Sequence, residues 1–435
     1  MAVVEVVTSE LVAPGEPTPR RALWLSNLDL SARNGYTPTV YFFRRGATGE
    51  EDDGFFSADV LRAALARALV PFYPFAGRLS QGAGGRAEID CNDEGALFVV
   101  ARSAAALDEY YEGFAPSTKM RDLFVPRCES ADGPAPLLML QVTFFRCGGV
   151  ALGTAMHHFV MDGRSAFHFI RTWATLARGA SSTLFAPPSL DRTPLRARSP
   201  PTVLFDHTRE YGGGNDDQPA AEYASAILRV TGAQVAALRA RAGGPHVSAF
   251  RALAAHAWRC ACAARCLPRD AESRLYTMID MRARLSPPLP DHYFGNAVAR
   301  TSASARVGDL LLDGHGGLAA AARRLRGATG HGDAYARSLV DYLEAMDPGV
   351  LPRGGIAGTD LRVISWLGMP SYDADFGWGE PALLAPALMY YTGFVYLLSC
   401  PGKEGGVAVA VAVALEPDRI ERFKELFFED LAAME

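Results

Sequence analysis

Val150-Ala151-Leu152-Gly153-Thr154-Ala155-Met156 runs directly into His157-His158-Phe159-Val160-Met161-Asp162-Gly163, and the architecture is read outward from this stretch. The first seven residues form an apolar run of strand length. A second apolar run, Leu137 to Phe145, precedes it across Cys147-Gly148-Gly149, and the Gly-Gly pair is a hairpin signal. Beyond Gly163, the positions of Phe167, Ile170, Trp173 and Leu176 mark an amphipathic helix. The unit is therefore strand, turn, helix, and the turn places His158 where the chain reverses. An imidazole there can face a cleft and accept a proton near neutrality, since its reference pKa is about 6.5. The HxxxD spacing by itself is weak, with about 0.5 such pairs expected by chance. On this motif alone, a satisfied core histidine stands beside the catalytic reading.

The rest of the chain supplies the context. Val3 to Val7 and Thr39 to Phe43 read as strands. Ser57 is an N-cap for a helix carrying Val60, Leu61, Ala64, Leu65, Ala68 and Leu69, which Pro71 stops. Prolines 187, 188, 194, 200 and 201, then Gly212-Gly213-Gly214-Asn215-Asp216-Asp217, make residues 179–220 a crossover. Thr231 caps a helix to about Ala242, and Ser248 caps another to about Arg265. Residues 405–415 form a Val/Ala strand, and Pro417 at a first helical position opens a terminal helix. The 435 residues exceed what one core usually serves, so two domains are expected: 1–178, the crossover 179–220, and 221–435.

Composition narrows the function. The net charge is −5, with no Lys/Arg run, which argues against nucleic acid as a partner. The acidic run Glu50-Glu51-Asp52-Asp53 reads as a solvated loop. The N-terminus has no basic leader, and no apolar run reaches 18 residues, so a soluble cytoplasmic protein without a membrane span is expected. Seven cysteines without regular spacing point to reduced thiols. Cys260, Cys262 and Cys266 match no zinc pattern and read as packing residues, so no metal is expected.

Two further motifs decide the family. Asp375-Phe376-Gly377-Trp378-Gly379 would arise by chance on the order of once in 10⁴ such chains. Its two glycines around a large ring suggest a structural turn. Leu69-Val70-Pro71-Phe72-Tyr73-Pro74-Phe75-Ala76-Gly77-Arg78-Leu79 is a helix stop followed by a rigid aromatic turn. With HxxxDG, these stand in the order found in the plant BAHD acyltransferases, which this chain resembles over nearly its whole length. Leu25-Ser26-Asn27-Leu28-Asp29-Leu30, Pro38-Thr39-Val40-Tyr41-Phe42-Phe43, Leu190-Asp191-Arg192-Thr193, Tyr293-Phe294-Gly295-Asn296 and Ser371-Tyr372-Asp373-Ala374 match as well. The hydroxycinnamoyl-CoA branch is the nearest in character.

The resemblance implies an α/β fold of two similar-sized, chloramphenicol-acetyltransferase-like domains with a channel between them. It implies an acyl-CoA co-substrate, no resident cofactor, and a monomer acting on small molecules. His158 is then the general base. Asp162 and Gly163 hold its turn, with Arg282, from Asp280-Met281-Arg282, as the partner of Asp162. Ser248 and Arg259 stand at coenzyme A contacts. Thr37, Thr39, Tyr41, Trp366 and the residue at 368 stand at the acceptor and acyl cleft. DFGWG is remote from the chemistry. Shikimate and quinate enzymes carry an Arg shortly after the Ser-Trp pair, where this chain has Gly368. A glycine cannot replace a bidentate guanidinium. Glu380 follows DFGWG where relatives often have a basic residue. These two positions favour a neutral or cationic acceptor, with putrescine or agmatine ahead of shikimate, quinate or another alcohol. The rivals are a carrier-dependent condensation domain, whose HHxxxDG motif this segment also satisfies, and a non-catalytic ligand binder.

Overall fold

The computed structural model describes residues 4–45, 55–127, 134–180, 185–212, 222–312, 316–346, 356–400 and 408–432. The acidic run Glu50 to Asp53, Cys128, and residues 213–221 of the crossover lie outside them. The chain forms two units. The first comprises residues 1–196, 289–297 and 369–388, and the second 197–288, 298–368 and 389–435. The boundary at 196/197 falls inside the expected crossover, but the division is not the simple one of 1–178 and 221–435. DFGWG, expected in the C-terminal domain, belongs to the first unit. The reason is strand pairing: Leu383–Pro386, just past the motif, pairs antiparallel with Tyr36–Phe43.

In the first unit, β1 (Val4–Val12), β6 (Ala96–Ser103), β7 (Leu138–Phe145), β8 (Val150–His157), β3 (Tyr36–Phe43) and β13 (Leu383–Pro386) lie side by side in that order. The Gly-Gly hairpin forms as read, with Gly148 at φ +81°. β2 (Ala22–Trp24), β5 (Ala87–Asp90) and β4 (Arg78–Gln81) form a small second sheet. Ser57 caps the helix Ala58–Leu69, accepting from the Val60 amide. The helix Gly163–Ala177 buries Phe167, Ile170, Trp173 and Leu176, the stripe read from the sequence. The Trp173 indole N–H donates to the Leu61 carbonyl (2.9 Å) and ties the two helices together.

DFGWG is a turn that seats rings. The Asp375 carboxylate accepts from the amides of Gly377 (2.8 Å) and Gly379 (3.0 Å). Both glycines have φ above +100°, which side chains with a Cβ rarely adopt. Phe376 then meets Trp173 edge-on at 4.7 Å, and Trp378 lies 5.1 Å from Phe56.

In the second unit, β11 (Val298–Arg306), β10 (Glu272–Asp280), β12 (Leu361–Ser365), β14 (Phe394–Cys400), β15 (Ala408–Leu415) and β9 (Ala224–Val230) form a mixed sheet. Leu275, Leu361, Val363, Val395 and Leu397 join one hydrophobic core with residues of the helices Ala249–Ala264, Gly316–Ala328 and Ile420–Ala432. Thr231 caps Gly232–Arg241 in a reciprocal capping box with Gln234. The terminal helix begins at Ile420. Pro417 therefore lies in the turn before it, and Glu416 supplies the carbonyl that accepts from the Ile420 amide.

Candidate active site

His158 sits one residue beyond β8, in the first unit. Its amide donates to the Gly35 carbonyl (2.9 Å), which extends the β3–β8 pairing past the last strand residue. Side chains alternate across a sheet, so Thr154, Met156 and then His158 share one face. Thr39 stands opposite Thr154, and Thr37 opposite Met156. The hydroxyls of Thr39 and Thr154 are 2.6 Å apart. Thr37, Thr39 and Tyr41, read as cleft residues, thus line the face that leads to His158. Tyr41 is almost fully buried, which pushes its phenol well above the usual range, and Tyr372 adds to the effect. His157 points to the other face, edge-on to Tyr36 at 5.2 Å.

The His158 ring is half-buried. Burial pushes its pKa below 6.5, while its own carbonyl, the Asp162 carboxylate and the Asn296 amide pull the other way. The net direction favours the neutral imidazole, the form that can act as a base. Nδ1 is buried with no hydrogen-bond partner, which leaves Nε2 as the nitrogen able to meet a proton donor. His157, 5% exposed, is pushed further, to about 4, mainly by desolvation.

Asp162 is the N-cap of Gly163–Ala177. One carboxylate oxygen accepts from the Ser165 amide (3.1 Å), the other from the Ala297 amide (3.0 Å). It fastens the turn at both ends of its reach, which fits the expected structural role. Arg282 belongs to the second unit, where it is buried and bonds to Asp280 through its amide (3.0 Å) and Nη1 (3.2 Å).

Three residues with no assigned role complete the first unit's site. Asn296 donates from Nδ2 to the His158 carbonyl (2.8 Å) and to Asp29 (3.0 Å), and its amide also donates to Asp29 (2.7 Å). Asp29, fully buried, also accepts from the Ser26 amide (2.9 Å), the Ser26 hydroxyl (2.8 Å) and Arg192 Nε (3.0 Å). Arg192 reaches on to the Val160 carbonyl (3.4 Å). The stretches Leu25–Leu30, Leu190–Thr193 and Tyr293–Asn296 were visible in the sequence as similar to the family. Their convergence on one carboxylate was not, because they are more than 100 residues apart.

The expected coenzyme A contacts are not brought together. Ser248 caps Ala249–Ala264 and accepts from Arg251. Arg259, eleven residues on and about 16 Å along the helix, spends its guanidinium on the Leu310 carbonyl (2.8 Å) and Asp430 (3.4 Å). Trp366 packs against Tyr396 in the second unit. Gly368 has φ +75° and open space where a side chain would begin.

Among the described residues, one group could hold a metal: His256, Cys260 and Asp430. Nε2 of His256 must donate to the Phe427 carbonyl (3.0 Å), which leaves Nδ1 as the possible ligand atom. The Cys260 sulfur is 3.8 Å from both ring nitrogens, so it lies off the Nδ1 lone-pair direction, and burial holds the thiol protonated. The trio reads as packing, like Cys262 beside it.

A strand-end imidazole held neutral, on a turn pinned from both sides, in a chain of two sheet-rich α/β units, is an arrangement able to supply a general base, and similarity to known proteins makes the chain an acyl-CoA-dependent acyltransferase. The chain belongs to the Transferase family, the BAHD acyltransferases, whose model matches residues 2–430. It is 47% identical over 455 residues to putrescine hydroxycinnamoyltransferase 1 of Oryza sativa subsp. japonica, covering 98% of this chain and 99% of that one. It is 39% identical over 445 residues to shikimate O-hydroxycinnamoyltransferase of Nicotiana tabacum, at 98% and 99% coverage. The fold is shared with vinorine synthase (TM-score 0.72, 22% identity, 96% of each chain). It is shared also with F. graminearum TRI101 complexed with coenzyme A and T-2 mycotoxin (TM-score 0.78, 18% identity, 93% and 97% covered). No helix among the described residues is long and apolar enough to cross a membrane.

Proposed function

We propose that this enzyme moves a hydroxycinnamoyl group from coenzyme A to an aliphatic amine, with putrescine or agmatine as the leading acceptor. Nε2 of His158 takes the proton from the acceptor nitrogen as that nitrogen attacks the thioester carbonyl. The tetrahedral intermediate collapses, the C–S bond breaks, and the coenzyme A thiolate leaves and takes up the proton. The neutral imidazole at the end of β8 is the observation that carries the reaction. Arg282 is proposed as the partner of Asp162, and Thr37, Thr39, Tyr41 and Trp366 as cleft residues.

Two observations support the amine. Gly368 offers no side chain where an acceptor carboxylate would be held, and the 47% identical Oryza relative is named for putrescine. The alcohol reading keeps one support, the 39% identical relative named for shikimate. A panel of coumaroyl-, caffeoyl- and feruloyl-CoA against putrescine, agmatine, shikimate and quinate, read by thiol release, decides between them. Higher kcat/KM for the amines is expected, and shikimate outcompeting both would overturn the amine reading. His158→Ala should lower kcat by roughly 10²–10⁴-fold in folded protein. Near-normal turnover in that variant would end the general-base assignment.

A further inference from the structure

On the sheet face opposite the helices Ala249–Ala264, Gly316–Ala328 and Ile420–Ala432, the second unit holds two arginines that have no carboxylate partner among the described residues. On the helix-covered face, Leu275, Leu361, Val363 and Val395 are buried in the core. On the other, the register sets Ser302, Tyr276, Arg362 and Phe394 in one row across β11, β10, β12 and β14. Arg300 lies one diagonal step away, opposite Met278.

The Arg362 guanidinium lies 5.8 Å from the ring centre of Tyr276 and 5.5 Å from that of Tyr391, and it donates to the Tyr391 hydroxyl. Its Nε is buried and bonded to nothing. Arg300 donates to the Glu210 carbonyl oxygen (2.7 Å) and lies over the Tyr211 ring at 5.0 Å. Neither has a carboxylate partner among the described residues. The contrast is with the ion-paired arginines whose side chains are 5% exposed or less. Arg192 has Asp29, Arg78 has Glu94, Arg265 has Glu416, and Arg282 has Asp280, each within 3.2 Å. Desolvation and the neighbouring Arg300 both act against the charge on Arg362. A guanidinium does not lose its proton in a protein, so the charge stays, with phenol faces and one hydroxyl in place of a counter-ion. Aromatic faces return part of the lost hydration. They do not neutralise a charge or fill the open donor.

We propose that Arg362, with Arg300 beside it and Tyr276 and Tyr391 as walls, is a binding site for a small-molecule oxyanion, a carboxylate or a phosphate. A planar oxyanion would meet the unpaired Nε–H edge in the parallel two-bond geometry that guanidinium favours. Stacking against Tyr276 and Tyr391 suits an aromatic carboxylate. The site is separate from position 368: Trp366 is already four residues, about 13 Å, further along the chain if extended.

Benzoate and inorganic phosphate are the two probes, each titrated calorimetrically into the full-length wild-type protein and into Arg362→Gln. Saturable binding of either, weakened about 10- to 100-fold by the substitution, is expected for the loss of a charge-assisted pair. The probe that binds names the source, an aromatic acid or a phosphate ester. Arg362→Lys keeps the charge without the fork and should fall between the two. If Arg362→Gln does not fold, Arg362→Lys and Arg300→Gln carry the comparison. Failure of both probes to bind the wild type, or equal binding to every folded variant, overturns the site. The titration contains no acyl donor or acceptor, so its outcome is independent of the transfer reaction.

Discussion

Replacing Asp29 by alanine should destabilise the first unit by several kcal/mol. Asp29 is fully buried and accepts from Ser26, Arg192 and Asn296, in three segments far apart in sequence. Removing the carboxylate leaves Arg192, 3% exposed, as a buried charge without a partner. Breaking a buried pair from one side costs about 3–5 kcal/mol. The capping box of the short helix Asn27–Leu30 is lost with it, at about 1 kcal/mol. These losses share groups and do not add, so about 3–5 kcal/mol is expected in total. At about 2–4 °C per kcal/mol for a unit of this size, its melting temperature should fall by about 6–20 °C. Arg192→Met should cost less, because Asp29 keeps its Ser26 and Asn296 donors. Turnover should also fall in Asp29→Ala assayed below its transition, about tenfold for each 1.4 kcal/mol of misplacement. Asn296, no longer anchored, no longer fixes the His158 carbonyl. Differential scanning calorimetry with kcat at a permissive temperature reads both effects. An Asp29→Ala protein within 1 kcal/mol of wild type, with full turnover, would refute the argument.

Gly153→Ala should be severe. A Cβ there would lie 1.7 Å from the Phe124 carbonyl oxygen, in a strand paired on both sides, so at least about 3 kcal/mol or loss of soluble protein is expected. Gly327→Ala, in the helix Gly316–Ala328 with open space around it, is the control and should stabilise by about 0.5–1 kcal/mol. Acid should unfold the protein through its buried histidines. Desolvation holds His157, His207 and His256 near 4, so the folded chain resists protons that the unfolded chain accepts at about 6.5. Stability is therefore unaffected above pH 6.5 and falls from there to about 4, by up to about 1.4 kcal/mol per pH unit for each group. A flat melting temperature across that window would contradict the burial. The His158 imidazole, followed by NMR titration in the absence of substrate, should have its midpoint below pH 6.5, as its burial requires; a midpoint above 6.5 would contradict it.

Much of the site was legible because it is local. The apolar run, the His-His pair and the capping Asp162 lie within fourteen residues, and period and turn chemistry place them on strand, turn and helix. Ser57, Thr231 and Ser248 were readable as caps for the same reason, since a cap acts within three residues of itself. Pro417 misled because a proline suits a turn before a helix as well as its first position. The helix Gly316–Ala328 was not read, because three of the five residues in its buried stripe of Leu318, Ala321, Ala322, Leu325 and Ala328 are alanines, which mark a core face weakly in sequence.

What sequence alone determined was the acyltransferase family, with His158 as the base proposed from it, because the three motifs that mark the family are each short and local. Only tertiary structure assigned DFGWG to the first unit, since strand pairing across more than 300 residues is not written in either strand. Only it made Asp29 the common partner of Arg192 and Asn296, and left Arg300 and Arg362 without a carboxylate partner among the described residues. A buried charge is settled by whatever the fold brings within about 3 Å, and sequence spacing carries no record of that distance.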